Sequence, residues 1–322
     1  MHIVTASDDG YSIGVQVLIA SAARHNPGAR FSVLALDWRA ESVQRLEALA
    51  ARLNCRVDLH QLESAAMARL TVRRRHLNQA AFLRFQIPDL LQDAERVLYM
   101  DCDMVVTGPL DAAWFADLRG FPVAAVACPS PTPAVLQSLD LAPGDYVNTG
   151  FLVMDLARWR AEDLAGRCIT ALMRPDCPYL SEDESAINDL CRGRIAPLAP
   201  GFNLYACDII NQPALADPAA IRVVHYVTRP KPWQGNAPLD ALWQAEAVRI
   251  ADLLPAMPPV RADGWLRRLN RARRIWMGWL VRKARYRHVL RVRAVISEQI
   301  IAPYLANGRL EGGISGGVGS GG

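Results

Sequence analysis

Two aspartates interrupt an otherwise apolar run, Val97-Leu98-Tyr99-Met100-Asp101-Cys102-Asp103-Met104-Val105-Val106. A β-prone stretch of this kind packs into a core, and a carboxylate there is costly unless it is paired or bound to a cation. On extended backbone the side chains of an Asp-x-Asp pair share a face, and where the strand ends between them both can converge on one divalent ion. The same residues also read as a strand ending in a solvated turn with two unrelated surface acids. Other residues bear on the choice. His225 ends the strand-like Ile221-Arg222-Val223-Val224-His225-Tyr226, and Lys231 stands between two prolines in Thr228-Arg229-Pro230-Lys231-Pro232-Trp233. Together, Asp101, Asp103, His225 and a rigidly carried Lys231 suit one task, holding a divalent metal and a phosphate-rich leaving group. Oxygen ligands with one nitrogen favour Mn2+ or Mg2+ over a thiolate-type zinc site. The cation would neutralise a departing diphosphate, and Lys231 would add a point charge to the same oxygens. No Walker sequence occurs and no G-x-G-x-x-G follows a strand, so the usual loop-based phosphate cradles are missing.

Three further stretches carry groups that could take part. Arg84, in Ala80-Ala81-Phe82-Leu83-Arg84-Phe85, is either a solvated helix charge or a partner for an anionic ligand near the aspartate pair. Asn148-Thr149-Gly150 is a polar corner leading into an apolar strand that runs to Asp155, and such a corner often just makes a turn. The acidic Ser181-Glu182-Asp183-Glu184 opens a short helix through Asn188, where acids favour the helix dipole without any chemistry.

The elements that would position these groups alternate. His2 to Ala6 reads as a strand ending at the turn Ser7-Asp8-Asp9-Gly10-Tyr11, followed by a helix from Ile13 to Arg24 and a strand from Phe31 to Leu36. A helix from about Ala40 to Leu53 and a strand from Arg56 to His60 continue the pattern. Strands then follow at Val97 and at Val123 to Ala127, a proline loop at Pro129, Pro131 and Pro133, and a helix from about Ala157 to Met173. This order predicts an α/β fold with an open, mostly parallel sheet flanked by helices, in which ligands collect at the carboxyl ends of strands.

Composition narrows the setting. With 322 residues, 51% of them hydrophobic, the chain can bury a large core. Its formal charge of +4 is unevenly placed, since residues 1–260 carry 23 Lys+Arg against 29 Asp+Glu and residues 261–322 carry 13 against 3. Seven scattered cysteines without C-x-x-C spacing predict a reducing compartment. The opening Met1-His2-Ile3-Val4-Thr5-Ala6 lacks a signal-peptide pattern and no stretch reaches roughly 18 uninterrupted apolar residues, so a cytoplasmic protein is expected.

The ordered set of motifs resembles glycosyltransferase family 8, the group of glycogenin and the bacterial lipopolysaccharide galactosyl- and glucosyltransferases. Ala6-Ser7-Asp8-Asp9-Gly10-Tyr11 is similar to the family's uracil and ribose loop, and Arg84 falls where the family places an arginine near the donor. His76 resembles a polar residue that faces the nucleotide in some members. Asp101-Cys102-Asp103 looks like the metal motif, Asn148-Thr149-Gly150 like the Asn-x-Gly beside the donor sugar, and His225-Tyr226 with Thr228 to Trp233 like the His-Tyr…Lys-Pro-Trp ending. The resemblance implies a GT-A type nucleotide-sugar-binding fold over residues 1–260, with metal ligands Asp101, Asp103 and His225. It implies a donor site of Ala6, Asp8, Tyr11, His76, Arg84, Cys102, Asn148, Thr149, Thr228 and Lys231, and transfer of a hexose from a UDP-sugar to a saccharide or lipid-linked saccharide with retention.

Two departures stand out. The family commonly shows Asp-Gln-Asp before an asparagine, where this chain has Asp183-Glu184-Ser185 and then Asn188, so Glu184 replaces the glutamine that lies beneath the anomeric carbon. Such a glutamate either stabilises an oxocarbenium-like transition state, even as a covalent nucleophile, or turns away and caps its helix. With Asp183 and Lys231 it completes the expected catalytic set. Pro129-Ser130-Pro131 stands where relatives often carry a donor-sugar aspartate, which leaves the sugar open.

Residues 261–293 hold twelve Lys+Arg and one acid, interleaved with Trp265, Trp276 and Trp279. Spacings such as Leu266/Leu269 and Trp276/Trp279/Leu280 predict a basic amphipathic helical segment over 261–308, suited to an anionic membrane surface rather than to nucleic acid, or else packed on the catalytic domain with a wet basic face. Residues 309–322 read as a flexible Gly/Ser-rich tail. Two other functions compete: a non-catalytic sugar-nucleotide or glycan-binding protein on the same fold, and a haloacid-dehalogenase-like phosphohydrolase, whose signature wants a threonine where Val105 stands.

Overall fold

A computed structural model of the chain describes residues 1–64, 82–207, 212–256 and 284–310, with single positions 273, 277 and 280. His76 and most of 261–283 lie outside the described residues. A seven-stranded sheet runs in the order β3 (Val57–Leu62), β2 (Arg30–Leu36), β1 (His2–Asp8), β4 (Arg96–Met100), β7 (Val147–Asp155), β6 (Val123–Ala127), β8 (Ile195–Pro197). A second sheet takes β5 (Met104–Val106), β10 (Val223–His225) and β9 (Leu204–Tyr205) in the order β5-β10-β9. Strands β3, β2, β1 and β4 are mutually parallel, and β7 alone reverses, pairing antiparallel with both β4 and β6. The expected mostly parallel α/β sheet is therefore present.

Two apolar layers grip the large sheet, and strand periodicity assigns residues to each. Ile3, Leu98 and Met100 join the layer containing helix α1 (Ser12–His25), while Val4, Ala6, Val97 and Tyr99 join the opposite layer with Phe82, Phe85 and Ile187. Helix α1 is buried almost throughout, from Ser12 to Ala22, and ends on Arg24 and His25, which suit its negative dipole end. Helix α2 (Ala40–Leu53) instead buries one stripe, Ser42, Leu46 and Leu49, and stops at Asn54 in the left-handed conformation.

Local readings needed adjustment in several places: Asn148-Thr149-Gly150 lies inside β7 rather than at a corner before it, and Pro133 opens a short helix, Pro133–Leu139. The continuous run around the aspartate pair is two strands in two sheets. The helix expected from Ala157 to Met173 is two, Leu156–Ala161 and α3 (Leu164–Met173), because Asp163 takes a left-handed φ of 47° between them. Around Arg84 the chain forms a tight turn of 3-10 helix, Leu83–Gln86, which buries Leu83, Arg84 and Phe85 together. Further on, helix α4 (Glu182–Leu190) packs on α3, and α5 (Asp240–Arg249) packs on α1.

The C-terminal part is bound into the fold. After helix α6 (Ala284–Val295), Ile300, Tyr304 and Leu310 sit in the same apolar layer as α1. The Tyr304 hydroxyl meets Glu246 at 2.9 Å and Arg24 at 2.8 Å, and Arg24 pairs with Glu246 at 2.6 Å. Leu310, inside the stretch expected to be flexible, is 5% exposed and donates its N–H to the Thr107 carbonyl. Among the described residues no helix is long and apolar enough to cross a membrane.

Candidate active site

The aspartate pair sits on the crossing between the two sheets. Strand β4 ends at Met100, β5 begins at Met104, and the three residues between are tied to both sides: Asp101 donates its N–H to the Gly150 carbonyl at 2.8 Å, and the Tyr226 N–H donates to the Asp103 carbonyl at 2.9 Å. Asp101 continues the parity of Tyr99, whose hydroxyl donates to Asp101 Oδ1 at 2.8 Å. Arg84 donates to the same oxygen at 3.1 Å, leaving Asp101 Oδ2 3.7 Å from His225 Nε2. Asp103 divides its carboxylate. Oδ2 accepts from Lys231 Nζ at 2.5 Å, while Oδ1 is buried 3.1 Å from His225 Nε2 with no other partner among the described residues.

Ligand atoms of Asp101, Asp103 and His225 thus fall within 4.8 Å of one another. Two carboxylate oxygens and one imidazole nitrogen, facing one another in a largely buried cluster, are the donor set of a hard or borderline divalent cation. The solvated-turn reading does not hold, because Asp103 is 8% exposed and His225 2%. Burial disfavours the Asp103 carboxylate, yet the facing His225 and Lys231 outweigh it and hold its pKa below the ordinary carboxylate range. Glycine at 150 is a spatial requirement: a Cβ there would stand 2.5 Å from His225 Cε1 and 2.6 Å from Asp101 Oδ2.

Arg84 is the buried hub of the opposite wall. It donates to the Thr149 carbonyl at 2.9 Å and hydroxyl at 2.7 Å, pairs with Asp183 at 3.1 Å, and lies over the Tyr99 ring at 4.6 Å. Burial opposes its charge, and the acids around it, Asp183 foremost, more than restore it. Asp183 is itself pushed upward by burial, with Arg84 pulling the other way.

A cavity of about 230 Å3 opens over the aspartate pair. Ala6, Asp8, Tyr11, Arg84, Asp101, Cys102, Asp103 and Lys231 all line it, so eight of the residues expected from the sequence meet at one place. Asp8 Oδ1 accepts the Tyr11 N–H and shapes the loop after β1, and Tyr11 stands edge-on to Trp233 with ring centroids 5.3 Å apart. Thr149 serves Arg84 from behind the wall. Thr228 lies exposed on the loop after β10, outside the cavity lining.

Glu184 resolves one alternative: it does not cap its helix. Its side chain crosses to the entry of β7, where Oε1 accepts from the Tyr146 hydroxyl at 2.7 Å and Oε2 from Asn148 Nδ2 at 2.5 Å. Burial raises its pKa to about 7. Several residues of the assembly carried no usable signal in the sequence. Tyr99 could have been found, since period two puts it on the face of Asp101. Tyr146, Gly14 and Asn203 could not. Gly14 lets helix α1 approach the motif, because a Cβ would stand 2.5 Å from the Cys102 carbonyl, and Asn203 reaches His225 from a loop.

Comparison with known proteins decides the family. The family model for glycosyl transferase family 8 matches residues 2–237. The chain belongs to glycosyltransferase family 8. It is 24% identical to general stress protein A of Bacillus subtilis over 256 residues, spanning 73% of this chain and 88% of that protein. Against the lipopolysaccharide 1,3-galactosyltransferase of Salmonella typhimurium it is 25% identical over 245 residues, 72% of either chain. It spans only 32% of the Streptococcus pneumoniae glycosyltransferase GlyA, at 28% identity. The galactosyltransferase LgtC, solved with donor and acceptor sugar analogues, shares the fold at a TM-score of 0.66 and 21% identity, over 80% of this chain and 98% of that one. This membership removes the phosphohydrolase reading.

Proposed function

We propose that this family 8 member transfers a hexose, glucose or galactose, from a UDP-sugar to a hydroxyl of a saccharide or lipid-linked saccharide, with retention at the anomeric carbon. The observation that carries the reading is the convergence of Asp101, Asp103 and His225, with the two aspartates lining a cavity walled by the loop after β1. Mn2+ or Mg2+ held by these three side chains would neutralise the oxygens of the departing diphosphate. Ala6, Asp8 and Tyr11 would receive the nucleoside. Lys231, anchored to Asp103 and to the carbonyls of Tyr226 and Val227 at 2.7 and 3.0 Å, supplies a fixed positive charge beside the same oxygens.

In the transfer the bond between the anomeric carbon and the diphosphate oxygen breaks, a bond to the acceptor oxygen forms, and the hydroxyl proton is released. Positive charge develops on the sugar ring. Glu184, half-buried at the entry of β7, is the carboxylate we assign to stabilise it, and Asp183 holds Arg84 in place beside it. The basic, tryptophan-bearing segment 261–293 would set the enzyme against the anionic inner face of the cytoplasmic membrane, where lipid-linked acceptors lie.

Incubation of the full chain with Mn2+ and separate UDP-glucose and UDP-galactose, with and without saccharide acceptors, tests the reading. UDP release with one donor, dependent on metal, is the expected result. Donor binding without release of UDP would instead make the chain a sugar-nucleotide-binding protein.

A further inference from the structure

Asn203 belongs to no motif, yet its side chain stands between two others that matter. It lies just before β9 and is 2% exposed. Its Nδ2 donates to Asn148 Oδ1 at 2.9 Å, and its Oδ1 is 2.9 Å from His225 Nδ1. The orientation of these amides is determined by a group that cannot turn round. The backbone N–H of Gly150 points at the Asn148 side chain from 3.0 Å, which makes the facing atom an acceptor. Asn148 therefore turns its NH2 to Glu184, and Asn203 must offer its own NH2 to Asn148 and its oxygen to the imidazole.

An oxygen facing Nδ1 requires hydrogen on Nδ1. In the neutral ring, the form able to ligate a metal, the lone pair then resides on Nε2, which faces Asp103 Oδ1 at 3.1 Å and Asp101 Oδ2 at 3.7 Å. A metal-ligating imidazole needs that tautomer and that direction, and in metal sites generally they are fixed by the hydrogen bond on the other ring nitrogen. We infer that Asn203 is a positioning residue that fixes the tautomer and ring direction of His225 for the cation, with Asn148 and Gly150 fixing Asn203 in turn. The inference rests on the metal centre proposed above. His225 is as deeply buried as Asn203 and Asn148 is buried beside them, so bulk water does not compete for these bonds. Without the Asn203 oxygen, the ring can carry its hydrogen on Nε2, where it points at the carboxylates and opposes the cation.

The test uses the full chain with Mn2+ alone, followed by electron paramagnetic resonance of the free ion. Asn203→Ala should weaken Mn2+ binding about 10–100-fold, whereas Asn203→Asp, which keeps an oxygen toward Nδ1 and gives up only the donor to Asn148, should lose clearly less than Asn203→Ala. Melting of the EDTA-treated proteins reports whether each variant folds. Parental Mn2+ affinity in Asn203→Ala overturns the inference, and so does an equal loss in both variants, which would mark a packing role. Because no sugar nucleotide is present, a wild-type chain that binds Mn2+ but releases no UDP from any donor leaves the inference standing and sinks only the transfer reading. A wild-type chain without saturable Mn2+ binding overturns both the metal centre and the inference.

Discussion

His225 Nε2 lies 3.1 Å from Asp103 Oδ1, and among the described residues no other donor reaches that buried oxygen. Such an atom is costly to bury unless something electropositive reaches it. Mn2+ at about 100 times its dissociation constant should therefore stabilise the chain by about 2.7 kcal/mol, read as a rise in melting temperature that EDTA reverses. Asp103→Ala should abolish that rise. An equal Mn2+ response in the variant would place the ion elsewhere.

Gly150 makes a second prediction through space rather than charge. A methyl group at this position meets the His225 ring and Asp101 Oδ2 at distances no relaxed structure tolerates, and the crowded atoms belong to a buried strand and two metal-facing side chains. Gly150→Ala should cost about 1–3 kcal/mol of stability in chemical denaturation, in line with other overpacked sites, and weaken Mn2+ as well. A stable variant with parental Mn2+ affinity would contradict the geometry.

How legible this was in the sequence depended on distance along the chain. The alternation of strands and helices, the Asp-x-Asp in an apolar run and the loop after β1 are local patterns, and the structure brings the aspartates and that loop to one cavity. Strand β5 was not legible as a separate strand, because its exchange of partners is decided by β10, more than a hundred residues later. Asn203 was invisible for the same reason. A lone asparagine in a loop has no period, and its bond to His225 exists only after β9 and β10 pair. Glu184 was legible as a substitution but not in orientation, since the choice between capping its helix and crossing to Tyr146 depends on how α4 lies against β7.

Glu184 should leave a pH signature. Burial raises its pKa from an ordinary 4.5 to about 7. A carboxyl whose folded pKa exceeds the unfolded one contributes stability that is fully present below about 4.5 and is lost as pH rises through about 7. At ~1.4 kcal/mol per pKa unit the effect is a few kcal/mol at most. Chemical denaturation of the parent and of Glu184→Gln should accordingly diverge between these limits, with the variant gaining relative stability as pH rises. Turnover gives the complementary reading. If the ionised form stabilises the sugar cation, parental kcat rises through about pH 7 and Glu184→Gln is both slow and flat; unchanged turnover in the variant would remove Glu184 from the chemistry.

The C-terminal anchor turns on Glu246, which is 1% exposed and accepts from both Arg24 and Tyr304. Removing it leaves the partly buried Arg24 guanidinium without its carboxylate, with the Gly308 carbonyl still accepting from it, and the buried Tyr304 hydroxyl with only the Val106 carbonyl at 3.4 Å to accept from it. Glu246→Ala should cost about 3 kcal/mol by denaturant titration. A loss near zero would mean that Tyr304 and Leu310 dock without this pair.

That anchor also dictates how the membrane reading must be tested. Deleting everything from residue 261 onward would strip Ile300, Tyr304 and Leu310 from the core, so lost vesicle binding could report unfolding rather than lost charge. Changing Arg267, Arg268, Arg271, Arg273 and Arg274 to glutamine keeps Ile300, Tyr304 and Leu310 in the chain. Each arginine near an anionic surface contributes about 1 kcal/mol, and the sum decays within a Debye length. Flotation with phosphatidylglycerol vesicles should then fall steeply in the variant, and in the parent as salt rises, while UDP release on a soluble acceptor stays at the parental level. Equal flotation of parent and variant would assign the basic segment to some other surface.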